Sequence, residues 1–257
     1  MKILFLTHYF PPEGNAPATR VHAMCSRWVQ AGHSVDVITG APNVPAGKVY
    51  DGYSNRLYQR ENVDGICVHR VWTFIASNRG TVRRSINYFS FMVSALLAAC
   101  RVARPDLVIA TTPQLFCGWA GAITAWLRGL PFVLEVRDIW PESVQAVNAI
   151  KNRLVLAFLE RLAARLYRAA DRIVAVGEGY RQELVRRGVP ADRIDVVTNG
   201  VDLDAYRPRE KPGRLMEKYR LGGSFVCSFT GTIGMACGLD GVLRAARLMK
   251  GRGAQSG

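Results

Sequence analysis

The chain has 257 residues, 49% of them hydrophobic and 21% charged, with 34 Lys and Arg against 20 Asp and Glu for a formal net charge of +14. That length suits one large domain or two modest ones and buries enough surface to fold without disulfides. An ordinary apolar fraction without low-complexity tracts excludes disorder, collagen, coiled coil and a small secreted scaffold.

Seven short apolar runs mark buried strands: residues 3–7, 35–39, 66–71, 107–111, 132–136, 173–176 and 194–197. They are nearly uninterrupted in hydrophobicity, as strands covered on both faces must be, and helix-period stretches separate most of them. The pattern predicts an α/β fold, a Rossmann-like, doubly wound, mostly parallel sheet. Ligands of such sheets gather beyond the carboxyl ends of the strands, which directs attention to residues 8–19, 111–114, 137–143, 177–180 and 198–202.

The first strand runs into His8-Tyr9-Phe10-Pro11-Pro12-Glu13-Gly14-Asn15-Ala16, a loop with one glycine ahead of a helix beginning near Pro17. Its apolar start is too short for a signal-peptide core, so a cytoplasmic location is expected. No GxGxxG follows the strand, which disfavours a nicotinamide enzyme. The helix start behind Gly14 still offers free N–H groups to an anion, although a tight turn accounts for the glycine equally well. Cys25, Cys67, Cys100, Cys117, Cys227 and Cys237 are scattered without CxxC spacing and read as small buried hydrophobes of a reducing compartment. No metal is expected from them.

Residues 85–100 carry no charge between Arg84 and Arg101. Asn87, Ser90, Ser94 and Arg101 share one helical stripe, while Ile86, Tyr88, Phe89, Phe91, Met92, Val93, Leu96 and Leu97 cover the rest. Two roles stay open: core packing, or an interfacial anchor whose membrane-binding candidates are Arg79, Arg83, Arg84, Tyr88, Phe89 and Phe91. Residues 107–127 also lack a charge, but Thr111-Thr112-Pro113-Gln114 interrupts them and predicts strand, turn and helix rather than a membrane span.

Beyond the fifth run, Glu135-Val136-Arg137-Asp138-Ile139-Trp140-Pro141-Glu142-Ser143 sets four charges at a buried strand tip. Such charges are costly unless paired or used, so they form either a structural Arg–Asp pair or a cleft lining that meets substrate hydroxyls. Leu154, Phe158, Leu162 and Leu166 then form the expected core stripe of a basic helix. Asn199-Gly200 marks a sharp turn after the last run, and the proline-punctuated residues 204–223 suit a linker. Residues 224–257 hold a predicted strand, a loop with Gly231, Gly234 and Gly238, and a helix, which together cannot close a core. Backbone N–H groups of that loop suit a diphosphate.

Together the Phe10-Pro11-Pro12-Glu13-Gly14 loop, residues 135–143, Asn199-Gly200-Val201-Asp202 and residues 231–240 resemble the family 4 retaining glycosyltransferases of the GT-B fold, specifically bacterial enzymes of lipid-linked surface polysaccharide synthesis. The resemblance implies an acceptor-side domain at 1–203 and a truncated donor-binding domain from 224. It implies transfer from a nucleotide sugar to a polyprenyl-diphosphate-linked acceptor at an anionic inner-membrane surface, without metal or other cofactor. By it, Gly14, Gly231, Thr232, Gly234 and Gly238 would hold the donor. His8, Asn15, Glu142 and Asn199 would face the acceptor, and Arg137 and Asp138 would be catalytic. The family often has His at Arg137 and Arg and Lys at Thr232 and Cys237, and its paired late glutamates have no counterpart here after Glu217. A non-catalytic acceptor-binding remnant and a GT-B nucleotide-sugar 2-epimerase are the alternatives; no nucleic-acid module is recognisable.

Overall fold

The computed structural model describes residues 1–75, 81–140, 152–201, 203, 206–210, 212–223, 226–231, 233 and 237–253. The chain divides into two units, Met1–Gly200 and Val201–Gly257.

All eight strands of the sheet belong to the first unit: β1 (Lys2–Leu6), β2 (Ser34–Gly40), β3 (Tyr58–Val63), β4 (Ile66–Val71), β5 (Leu107–Thr111), β6 (Phe132–Val136), β7 (Arg172–Ala175) and β8 (Ile194–Val196). Their spatial order is β3-β4-β2-β1-β5-β6-β7-β8, and every neighbouring pair except β3–β4 is parallel. The expected doubly wound sheet is therefore observed. Alternate side chains of each strand enter two cores. Ile3, Phe5, Val35, Val37, Ile66 and Val68 pack with Val21 and Cys25 of α1 (Ala16–Gln30). Leu4, Leu6, Ile38, Val108, Ala110 and Leu134 lie in the other core, with α2 (Thr81–Ala99), α3 (Leu115–Arg128) and α4 (Arg153–Ala169). Burial on both faces is what makes the strand sequences mostly apolar, with Asp36, His69, Arg70 and Glu135 as buried, paired exceptions.

β3 has no counterpart among the seven apolar runs. Its sequence, YQRENV, is polar and half-exposed because it forms the sheet's antiparallel edge. The turn joining it to β4 is Asp64-Gly65, with φ of 53° and 81°. Two positive φ values in a two-residue loop define the hairpin turn that Asp-Gly favours, and this dipeptide was the available signal. A Cβ on Gly65 would also sit 3.1 Å from Val29 Cγ1. Gly65→Ala is therefore expected to lower stability by about 1 kcal/mol, measured as a reduced urea midpoint at unchanged slope.

The 107–127 run forms β5, a turn and α3 as expected, and among the described residues no helix is long and apolar enough to cross a membrane. The α4 reading needs correction. Leu166 is buried with Ala163 and Tyr167, but Leu154 and Phe158 of the expected core stripe stand 82% and 61% exposed. The core reaches only the C-terminal half of this helix among the described residues. The cysteine reading is likewise half right: Cys25 and Cys117 are buried, their thiols pushed up to about 12 by burial, whereas Cys100, Cys227 and Cys237 are exposed.

In the second unit, α6 (Gly213–Lys218) and α7 (Leu239–Gly253) follow α5 (Glu178–Arg186) of the first. Residues 226–230 form no strand, contrary to expectation; no partner strand is described in this unit to complete a ladder. None of its described side chains is fully buried: Val242, Leu243, Leu248 and Met249 of α7 are all more than half exposed.

Candidate functional site

Chain order reverses between β1 and β5, so the loops beyond their carboxyl ends diverge and leave a crevice. Thr7, His8, Tyr9, Pro17, Thr111, Thr112, Pro113, Gln114 and Arg137 line a recess there. A second recess adjoins it at His8 and Tyr9, walled by Asn43, Val44, Arg84, Asn87 and Tyr88.

Backbone hydrogen bonds brace the crevice. Thr112 N–H donates to the Glu135 carbonyl at 2.9 Å, and the Arg137 N–H donates to Thr112 Oγ1 at 2.9 Å. The Glu135 carboxylate turns back under the loop and accepts from Arg20 Nε and Nη2 at 3.1 and 2.6 Å. Arg137 lies close enough to feel both charges of this pair. Burial pulls its guanidinium below the usual arginine range against the opposing carboxylate of Glu135, and the positive charge of Arg20 adds to the lowering. Burial raises the Asp138 carboxyl.

His8 is the most perturbed group of the crevice. Its ring is edge-on to Tyr9, Tyr88 and Phe91 at 5.0, 5.6 and 4.8 Å. Burial lowers its pKa to about 3, against a weaker opposing hydrogen bond with Asn87. A depressed histidine pKa means that below the ordinary value of 6.5 the unfolded chain takes a proton that the native one refuses. Stability is therefore expected to fall as pH drops from 6.5 towards about 3. The decline should be shallower in His8→Asn, as read from urea midpoints at successive pH values.

Several buried polar atoms converge here without a protein partner: His8 Nδ1, Gln114 Oε1, Arg137 Nη1, Arg20 Nη1 and Glu135 Oε2. Buried polar atoms are nearly always paired, so a cluster of exceptions marks a place prepared for a polar ligand.

The first loop is fixed from below. Buried Glu13 accepts from the N–H groups of Asn43 and Val44 at 2.8 and 3.1 Å, and fully buried Arg70 donates to the carbonyls of Pro11 and Gly40 at 2.5 and 3.1 Å. Asn15 is the N-cap of α1, its Oδ1 accepting from Ala18 N–H at 2.9 Å, so the oxygen assigned to the acceptor already has a structural partner. A Cβ at Gly14 would meet nothing within 4 Å, which leaves open space at the helix start.

Of the residues singled out from sequence, His8, Arg137 and Gly14's loop belong to the crevice, and Asp138 follows it. Asn199 lies exposed beyond β8, on the sheet's far edge. Gly231 and Gly238 are exposed in the second unit. Glu142, Thr232, Gly234 and Arg79 lie outside the described residues.

The membrane-binding set divides. Phe91 is fully buried, which corrects its assignment: it packs on His8 and the core. Arg84 and Tyr88 line the second recess, the guanidinium donating to the Tyr88 hydroxyl at 2.9 Å. Phe89 and Arg83 remain exposed. The supposed polar stripe of α2 in fact turns inward at its start. Ser90 Oγ accepts from Phe74 N–H at 2.8 Å, and Asn87 Nδ2 donates to the Phe74 carbonyl at 2.7 Å. Phe74 lies past the end of β4, where the ladder no longer satisfies its backbone, and these side chains supply the missing bonds. The outward face is consequently apolar: Val82, Ile86, Phe89, Val93 and Leu97 are all exposed.

Tyr9 and Gln114 fall within loops the sequence pointed to but were not named individually, and Arg20 and Asn87 were not singled out as site residues. Their types carry no motif, and only the fold brings them together.

Residues 15–200 match the family profile described as glycosyl transferase 4-like domain. A putative colanic acid biosynthesis glycosyl transferase, WcaI, of Escherichia coli is 25% identical across 96% of this chain and 62% of its own length. A GDP-mannose-dependent alpha-mannosyltransferase of Mycobacterium tuberculosis is 24% identical across 91% of this chain and 56% of its own. The chain thus spans little more than half the length of these relatives. Among solved structures, Anabaena HepE in complex with UDP-glucose superposes with a TM-score of 0.50 at 17% identity, covering 87% of this chain and 50% of that one.

Proposed function

The chain belongs to the glycosyl transferase 4-like family, and on that premise we propose that its first unit is the acceptor side of an enzyme moving a sugar from a nucleotide sugar to a polyprenyl-diphosphate-linked acceptor at a membrane surface. The observation that carries this reading is the group of unpartnered buried polar atoms of His8, Gln114 and Arg137 at the β1–β5 crevice. Neutral His8 can donate to or accept from a hydroxyl, and Arg137 can hold a phosphate or sugar oxygen. Low dielectric strengthens both contacts.

α2 connects this crevice to the surface. One face delivers Asn87, Tyr88 and Arg84 to the recess, and the opposite face presents the exposed apolar stripe beside Arg83. A lipid-linked acceptor whose chain stays in the bilayer would thereby present its head group to His8 and Arg137. A cationic, apolar helix face and a net charge of +14 suit an anionic membrane. Names among the relatives, such as the colanic acid transferase, agree with a surface polysaccharide as product.

A second reading, acceptor and membrane binding without transfer by this polypeptide alone, is favoured by the second unit, which leaves α7 uncovered. The decisive experiment compares this chain with one extended by a complete donor-binding domain. Both are supplied with labelled UDP- or GDP-sugars and anionic vesicles bearing a polyprenyl-diphosphate sugar. Vesicle binding by both, reduced by Phe89→Ser, and label transfer by the extended chain alone are expected. Robust transfer by the short chain would overturn the second reading. Nucleotide release that ignores the lipid acceptor would favour epimerisation and sink the first.

A further inference from the structure

Asp36, Cys67 and His69 lie on the α2 side of the sheet, among β2, β4 and the edge hairpin, and the crevice chemistry uses none of them. Cys67 and His69 are two apart on β4, so their side chains share one face, and Asp36 is the register partner of Cys67 on the parallel neighbour β2. His69 Nε2 is 2.7 Å from Asp36 Oδ1 and 3.4 Å from Cys67 Sγ, and one donor atom from each residue falls within 4.8 Å of the others.

We propose that Asp36, Cys67 and His69 form a binding site for a zinc-like divalent cation that fastens the β3–β4 hairpin to β2. Tetrahedral zinc, with bonds of about 2.0–2.3 Å, needs its donors roughly 3.3–3.7 Å apart. The present separations bracket that range, so modest side-chain rotations on a rigid ladder suffice. A mixed sulfur, nitrogen and oxygen set favours zinc or cobalt over magnesium or calcium, which take oxygen ligands.

The surroundings have the parts of a second shell. The Tyr58 hydroxyl is 2.7 Å from His69 Nδ1, which fixes the ring and leaves Nε2 for the metal. Arg101 lies 5.6 Å over the Tyr58 ring. Exposed Arg60 donates to Cys67 Sγ at 2.8 Å, a contact that can swing away into solvent as a cation enters; burial, with Asp36 alongside, raises the thiol overall, so the cation itself must supply the charge that holds the thiolate. Cys67 is only partly covered, which gives solvent water the fourth position. On binding, the thiol proton passes to solvent and the sulfur–metal bond forms; the His69 proton leaves Nε2 as the ring takes the Nδ1–H tautomer that donates to the Tyr58 hydroxyl, and the Asp36–His69 hydrogen bond is exchanged for two metal bonds.

Cobalt(II) titration of the reduced full chain tests this. One equivalent is expected to bind with a near-ultraviolet thiolate-to-cobalt band, and added zinc should bleach it. Cys67→Ser should abolish the band while circular dichroism stays unchanged. Cys100→Ser and the double variant Cys227→Ser, Cys237→Ser should keep it, and Tyr58→Phe should weaken binding roughly 10-fold. Zinc should raise the melting temperature of the parent chain and leave that of Cys67→Ser unchanged. Absence of the band in the parent, its survival in Cys67→Ser, or its loss with the exposed cysteines would overturn the proposal. None of these readouts depends on sugar transfer.

Discussion

Glu135→Ala is expected to destabilise the first unit by about 3–5 kcal/mol, the range for removing one partner of a buried ion pair. Glu135 is 3% exposed and is the partner of two nitrogens of Arg20, whose side chain is 12% exposed. Without the carboxylate, the Arg20 guanidinium keeps its desolvation cost and faces Arg137, whose charge it already disfavours. Two partly buried cations would then face each other beside the crevice. Urea unfolding should show a lower midpoint in the variant. The double change Arg20→Met, Glu135→Leu should recover most of the loss, because replacing a whole buried pair by apolar side chains is often neutral or stabilising. Equal stability of the double variant and Glu135→Ala would remove the ion-pair explanation.

The same variants separate fold from site. The double variant keeps the sheet but loses the support beneath Arg137, so it should fold while binding lipid-linked acceptor less well than the parent. Arg137→Ala, which leaves the Arg20–Glu135 pair intact, should weaken acceptor binding with little change in the urea midpoint.

Gly121→Val is expected to cost about 3 kcal/mol, at the upper end of over-packing penalties. A Cβ on Gly121 would fall 2.5 Å from Ala110 Cβ and 2.9 Å from Phe132 Cε2. Ala110 Cβ is fixed to the β5 backbone and cannot rotate aside, so α3 would have to lift from the sheet. The helix propensity regained by replacing glycine, about 1 kcal/mol at best, offsets only part of that. Gly118→Ala supplies the contrast. Its Cβ would meet Leu166 Cδ2 at 2.6 Å and Leu134 Cδ1 at 3.3 Å, both ends of flexible side chains that can change rotamer. Gly118→Ala should therefore be milder than even Gly121→Ala; the reverse order in urea unfolding would refute this account of how α3 seats. The effect bears on function, because α3 begins directly after Gln114 and the crevice loop. A lifted helix would displace Gln114 Nε2 from the Tyr9 hydroxyl, 3.2 Å away.

Much of the fold was legible in the sequence because two-sided burial leaves a local trace. Each internal strand is a short, mostly apolar run, interrupted only by paired groups such as Asp36, His69, Arg70 and Glu135, and the glycosyltransferase resemblance rests on loops that follow such runs. The edge strand β3 escaped for the same reason: half-exposed and polar, it left only Asp64-Gly65 as a sign. The orientation of α2 was not legible either. Its periodicity separates two faces, but which face lies inward depends on Phe74, whose unpaired backbone groups take Asn87 and Ser90 as partners.

The sequence by itself determined most of the sheet and the loops that border its crevice, since these follow from local patterns of apolarity and turn chemistry, while the family entered through the resemblance that those loops carry. Only the tertiary structure decided the pairings: Arg20 with Glu135 across 115 positions, Asp36 with His69 across 33, His8 with Tyr88 and Phe91 of α2. Periodicity records whether a side chain is buried. It carries no record of which distant group waits there, because that choice is made when helices and strands from remote parts of the chain pack together and each desolvated charge or donor must find its partner.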